Sequence, residues 1–278
     1  MPEKRLHRAR SADGTEIVGT VRGTGPTIVF VHGSLGDGEL HWNGAVAHLE
    51  DRYTCHMMNT RGRGGSGEHP DHSSPRLVED IISYVESVGG SPALFGHSFG
   101  ARLALGAAAR GAPVRAVAGF EPPVYDAMDD ALWSEWRACF ARIRALHASG
   151  RNEEAVRTFV GFVANAEEQA ALADAADVME AMVGYVPLDI AEFEAVSLAP
   201  DENPTDAAAL GRIGVPVLVI CGDRSAQAWF AAGARHVARH VSDCRVRTIS
   251  DVGHLGPLSA PEPVAGVVAD FLGAPHPA

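Results

Sequence analysis

The residues with the clearest chemical potential are Gly96-His97-Ser98-Phe99-Gly100. They match G-x-S-x-G. The apolar run Ala93-Leu94-Phe95 precedes them, and the small-residue stretch holding Ala101, Leu103, Ala104 and Leu105 follows. That order predicts a strand, a sharp turn and a helix. Such a turn strains the serine and projects its side chain above a sheet, while the two glycines let neighbouring backbone pass closely. The start of a helix also favours developing negative charge. A structural turn serine is the plainer alternative; the strand-to-helix context favours Ser98 as a nucleophile.

A nucleophilic serine needs a base. Of 13 histidines, His254 stands out. It lies in Asp251-Val252-Gly253-His254, after the last expected strand and before the last expected helix, where it can swing over the carboxyl end of a sheet. His97 neighbours the serine and is read as a packing residue that points away from it. His69-Pro70-Asp71-His72 lacks a third ligand nearby and reads as a solvated loop, so no metal is expected. Acyl transfer also needs oxyanion donors. His32-Gly33-Ser34-Leu35-Gly36 follows a strand and offers the amide of Ser34, with the amide of Phe99 as its partner. His32 is then structural. The loop is not G-x-x-x-x-G-K, which argues against phosphate cradling.

Several elements must position these residues. Strand-like runs fall at 16–22, 27–31, 53–58, 93–95, 114–118, 215–221 and 245–249. Helical spacing appears at 76–88, 101–110 and about 261–272. Alternation of this kind predicts a mostly parallel α/β sheet flanked by helices. Residues 125–206 break it with helix-like stretches and no convincing strand. They read as an inserted helical cap, leaving 1–124 and 207–278 as the core. The insertion carries 17 acidic residues against 5 arginines, and the rest of the chain balances at 18 against 18. Solvated helix faces explain that charge most simply; a cap that disfavours anionic substrates is the sharper reading. Trp42, Tyr125, Trp133, Trp136, Phe159 and Phe162 are candidates for an apolar lining, although core packing explains them equally well.

The 278 residues carry a net charge of −12, with 46% hydrophobic and 21% charged residues. This is ordinary globular composition, and the acidity gives nucleic-acid binding no support. The longest apolar runs are too short to span a membrane. The first ten residues lack an apolar signal core, and Cys55, Cys139, Cys221 and Cys244 are scattered. Together these predict a cytoplasmic protein with reduced, buried thiols. Lys4 is the single lysine, and the helices are rich in alanine; both hint at a GC-rich bacterial genome.

The chain resembles the α/β-hydrolase superfamily. The resemblance rests on His32-Gly33, Arg61-Gly62-Arg63-Gly64-Gly65-Ser66, the Gly96–Gly100 turn, Gly222-Asp223, Gly253-His254 and Pro261-Glu262, and it runs from about residue 27 to 272. It implies an eight-stranded, mostly parallel sheet, a helical cap, and acyl-enzyme chemistry without a cofactor. It also implies an acid two residues after Asp223, where this chain has Ser225. Two substitutes remain: Glu121, in Gly119-Phe120-Glu121-Pro122-Pro123 at the other strand end known to supply the acid, and Asp223 itself. Glu121 is favoured.

The expected activity is hydrolysis of an ester or lactone of a small, largely apolar substrate. Ser98 would be the nucleophile, His254 the base, and Glu121, or less readily Asp223, the acid. The same residues would serve an acyltransferase, a natural-product cyclase, a C–C bond hydrolase or a perhydrolase. Ser225 also leaves room for a non-catalytic binding protein on this scaffold. Nothing in the sequence fixes the oligomeric state, and a homodimer is left open.

Overall fold

The computed structural model describes residues 5–198 and 203–273. Arg5–Arg10 (β1) and Glu16–Arg22 (β2) form an antiparallel pair. Thr27–Val31 (β3), Gly38–Ala47 (α1), Thr54–Met58 (β4), Ser74–Val88 (α2), Ala93–His97 (β5), Phe99–Ala109 (α3) and Ala116–Phe120 (β6) follow. A single turn at Tyr125–Ala127 then leads into four helices: Asp130–Ala148 (α4), Asn152–Val163 (α5), Ala166–Asp174 (α6) and Ala176–Leu198 (α7). Ala207–Leu210 (α8), Val217–Gly222 (β7), Ala228–His240 (α9), Cys244–Ile249 (β8), Gly256–Ser259 (α10) and Pro261–Gly273 (α11) complete the chain.

The sheet has eight strands in the order β1-β2-β4-β3-β5-β6-β7-β8. Only β2 runs against its neighbours; the pairs from β4 to β8 are parallel. Both faces are covered, so the central strands are apolar at most positions. In β3, Ile28 and Phe30 join α1 and α11 on one face, while Val29 and Val31 join α2 and α3 on the other. Strand β7 divides the same way, with Leu218 and Ile220 opposite Val217 and Val219. This two-residue alternation fixes the register, since a slip by one would exchange the two cores.

The sequence missed β1, α1 and α9. Strand β1 is RLHRAR, with Leu6 exposed, and its ladder to β2 rather than its own burial holds it extended. The strand expected at 114–118 is displaced by two residues, to Ala116–Phe120, so Glu121 directly follows its end. The expectation of buried thiols needs correction. All four cysteines are free, but Cys139 and Cys244 are half-buried. Trp42 is not part of an apolar lining either. It is fully buried against Phe30 and Phe95 in the core beneath α1 and α11. No helix among the described residues is long and apolar enough to cross a membrane.

A buried ion pair ties the loop after β4 to α2. Arg61 Nε and Nη2 donate to Asp80 at 2.7 and 2.6 Å, and Nη1 lies 3.0 Å from Asp13. The Arg61 and Asp80 side chains are both fully buried. Replacing one member of such a pair strands the other charge away from water. We expect Asp80→Ala to lower the unfolding free energy by about 3–5 kcal/mol, measured by urea denaturation. A loss below about 1 kcal/mol would show that Asp13 alone suffices to hold Arg61.

Candidate active site

Ser98 sits between β5 and α3 with φ 50° and ψ −123°. A non-glycine residue rarely adopts positive φ, and such strain persists only where the surroundings enforce it. They do so here. The Ser98 amide donates to the Phe120 carbonyl at the end of β6, at 2.8 Å. A side chain at Gly100 would lie 2.2 Å from the His32 carbonyl oxygen, so α3 can start this close to the β3 loop only with glycine there.

The end of β8 supplies the partner. His254 Nε2 lies 3.1 Å from Ser98 Oγ, and His254 Nδ1 lies 2.8 Å from Glu121 Oε2. A carboxylate can only accept, so Nδ1 carries the ring proton and Nε2 is free to accept from the serine hydroxyl. The ring is fixed from two sides: Phe230 stacks on it with centroids 4.2 Å apart, and His97 Nε2 donates to the His254 carbonyl at 2.9 Å. Burial holds His97 well below its ordinary pKa, so it serves as a neutral donor in the packing role expected of it.

Glu121 is fully buried, and its own φ is 46°. Its amide donates to Ile220 O at 2.9 Å. Its second carboxylate oxygen, Oε1, accepts from the Gly222 amide at 2.9 Å and from the Ser225 hydroxyl. The residue at the usual acid position thus supports a carboxylate that arrives from the neighbouring strand. Asp223 goes elsewhere. It is exposed, and its Oδ1 accepts from the Asp251 amide at 2.7 Å, so the structure brings Ser98, His254 and Glu121 together and leaves Asp223 out.

Ser34 and Phe99 line the same small cavity as Ser98, about 30 Å3 in volume. Phe99 opens α3, where first-turn amides have no acceptor within the helix. Tyr125, Trp136, Phe159 and Phe162 also line it, and Tyr125, Phe159 and Phe162 pack against a core cluster as well, whereas Trp133 lies in a neighbouring cavity. His32 is structural: Nδ1 donates to Gly33 O at 2.8 Å, and Nε2 accepts from the Thr60 amide. His69 Nδ1 accepts from the Asp71 amide. Among the described residues no group of three or more His, Cys, Asp or Glu could hold a metal ion.

Sequence reasoning missed the contacts that hold these loops. Asp189, on α7, accepts from the Leu35 amide at 2.7 Å, next to Ser34, and Leu35 has φ 56°. Arg63 Nη1 donates to Gly36 O at 3.1 Å, while Nη2 meets Asp189 at 3.0 Å and Glu192 at 2.8 Å. On the other side, Glu168 of α6 accepts from the Leu255 amide at 2.7 Å, and a side chain at Gly253 would lie 2.4 Å from its carboxylate. The inserted helices therefore grip both the Ser34 loop and the His254 loop. The Asn165-to-Glu168 spacing is a legible helix-start signal; nothing local shows where that helix docks.

Burial pushes Glu192 up to about 8, with Asp189 adding to the shift and Arg63 opposing it. Burial alone would lower Arg63, but Glu192 and Asp189 outweigh it and hold the guanidinium above its ordinary value.

A strained serine after β5, a histidine after β8 and a carboxylate after β6, all at the carboxyl end of a mostly parallel sheet, define a hydrolase of the α/β class. The alpha/beta hydrolase family matches residues 28–267, and the chain belongs to that family. It is similar to an alpha/beta hydrolase from Sphaerobacter thermophilus DSM 20745, with 30% identity, a TM-score of 0.74, and 96% of this chain and 100% of that one covered. A thermophilic esterase from Thermogutta terrifontis shares the fold at 21% identity and a TM-score of 0.72, over 96% of this chain and 98% of the esterase. N-formylmaleamate deformylase of Pseudomonas putida KT2440 is 32% identical over 106 residues, which are 37% of this chain and 39% of the deformylase. The match thus spans well under half of that relative.

The Glu192 shift gives a pH prediction. A carboxyl whose pKa is raised by folding binds a proton that the unfolded chain has lost, so its stabilising contribution is full below the ordinary carboxylate range and fades as pH rises toward 8. Glu192→Gln keeps a donor that does not titrate. We expect the stability of the variant relative to the parent to rise between pH 5 and 8, by at most about 1.4 kcal/mol per pH unit. Urea titrations across that range check it; a pH-independent difference would mean Glu192 is already ionised at pH 5.

Proposed function

We propose that the chain is a serine hydrolase that cleaves an ester or lactone of a small substrate, largely apolar around the reacting carbonyl. The observation that carries this reading is the continuous relay from Ser98 Oγ through His254 to Glu121, at 3.1 and 2.8 Å. Ser98 Oγ attacks the carbonyl carbon and passes its proton to His254 Nε2. Glu121 keeps Nδ1 protonated and stabilises the imidazolium that forms. The amides of Ser34 and Phe99 face the oxyanion. His254 then gives its proton to the leaving oxygen. Water attacks the acyl-enzyme, loses a proton to His254, and the acid departs as Ser98 recovers its own.

The insertion acts as a cap in this reading. Its aromatic side chains wall the Ser98 cavity, and a cavity of about 30 Å3 admits one or two waters rather than a substrate. Entry therefore requires α4–α7 to move, as lids over active sites do. Cleavage of an amide in place of an ester is the second reading. It is favoured by the likeness to a deformylase, whose name implies release of a formyl group.

Two substitutions test the assignment. Ser98→Ala should leave the fold intact and lower kcat for p-nitrophenyl esters by at least about three orders of magnitude. Glu121→Gln preserves shape but favours the wrong tautomer, at a cost of about two to four orders of magnitude, whereas Asp223→Asn should cost far less. Equal turnover by the Ser98 variant, or a crippled Asp223 variant beside an active Glu121 variant, overturns the corresponding role. A parallel series of formamides separates the amide reading from the ester one.

A further inference from the structure

Three arginines are buried almost completely: Arg61, Arg63 and Arg102. Arg61 faces Asp13 and Asp80, and Arg63 faces Asp189 and Glu192. Arg102 is 2% exposed and, among the described residues, has no carboxylate within ion-pair distance. Its Nη1 donates to Ser74 Oγ at 3.0 Å and its Nη2 to Asn203 Oδ1 at 3.3 Å. The guanidinium lies 4.6 Å from the centre of the Tyr125 ring, and among the described residues Nε has no acceptor. Burying an uncompensated cation is costly, so such a group normally finds a counter-charge. Burial pulls its pKa below the ordinary arginine value, and the charges of Tyr125 and Asp126 oppose that shift without cancelling it.

Arg102 lines a cavity of about 350 Å3, more than ten times the volume beside Ser98. Tyr125 lines both cavities. Arg102 also follows the nucleophile closely. Its amide donates to the Ser98 carbonyl at 3.1 Å, so it stands one helical turn along α3, about 6 Å away along the axis.

We propose that this cavity is a carboxylate subsite, which takes the free carboxylate of a short-chain ester while its carbonyl lies at Ser98. The substrate class is then the monoester of a short dicarboxylic acid. This rests on the hydrolase reading above and narrows it. The carboxylate completes the fork on Arg102, which no carboxylate of the described residues occupies, and the apolar chain passes Tyr125. Asp126 and Asp130 also line the cavity. Both are exposed, and Asp126 Oδ1 already accepts from Asn203 Nδ2 at 2.8 Å. At the rim they are screened by water, whereas Arg102 is not. Their charge admits a single carboxylate and opposes a dianion, so inorganic phosphate fits poorly.

The test compares kcat/KM for p-nitrophenyl hydrogen glutarate with kcat/KM for neutral p-nitrophenyl butyrate. The intact enzyme should prefer the glutarate, and Arg102→Gln should lower that ratio about 10- to 100-fold, with Arg102→Lys in between. The ratio is independent of how much variant folds. A wild-type measurement needs no variant: glutarate should compete with p-nitrophenyl butyrate, and glutaramide and phosphate should not. An unchanged ratio in Arg102→Gln, or equal inhibition by glutaramide or phosphate, overturns the subsite. If no ester turnover sensitive to Ser98→Ala exists, the hydrolase reading fails. The subsite is then judged by whether glutarate raises the melting temperature of the parent and not of Arg102→Gln.

Discussion

The site depends on a backbone constraint at the carboxyl ends of β5, β6 and β7. Ser98 turns at positive φ because its amide is held by Phe120 O, and Glu121 turns at positive φ with its amide held by Ile220 O. Gly222 then returns an amide to the Glu121 carboxylate. Each strand end is thus hooked to the next. Two strained residues in adjacent crossings would be unstable alone, and the ladder beneath them supplies the rigidity that keeps them strained. Side-chain geometry follows from it: Ser98 and Glu121, leaving neighbouring strands in fixed directions, meet His254 from the loop after β8.

The acid shows how one substitution is absorbed. Serine at 225 cannot hold an imidazolium, but its hydroxyl can donate to a carboxylate that does. Glu121 reaches the ring from β6 with one more methylene than aspartate, and accepts from Gly222 and Ser225 on its other oxygen. A buried carboxylate needs such donors. The loop after β7 supplies that carboxylate with a pair of donors.

The insertion separates two kinds of charge. Most of its described acidic residues lie on solvated faces, and two pair locally, Glu153 with Arg157 and Glu154 with Arg151. Such exposed pairs contribute little. Glu168, Asp189 and Glu192 are buried, and they bind the backbone of the loops carrying Ser34 and His254 or the guanidinium of Arg63, which itself bonds Gly36 O. The excess of acid read from the composition is therefore mainly a property of its surface, while the carboxylates that reach the site act as structural acceptors. Arg102 stands apart from both groups as a buried cation beside a cavity.

The sequence alone determined the parallel α/β architecture, the serine turn, the histidine loop and the helical character of the insertion. Those signals are local: glycine spacing, strand-length apolar runs and helical periodicity each act within a few residues. It narrowed the acid to two positions. The tertiary structure brings only Glu121 of the two to the His254 ring, because that depends on which strand ends are neighbours and where each side chain leaves the sheet. Strand β1 and helix α1 escaped for the same reason: RLHRAR buries only Ala9, and α1 is held by what it packs on. The contacts of Asp189 with Leu35 and of Glu192 with Arg63 span more than a hundred residues of chain, and no local pattern encodes a pairing that exists only when two distant segments are pressed together away from water.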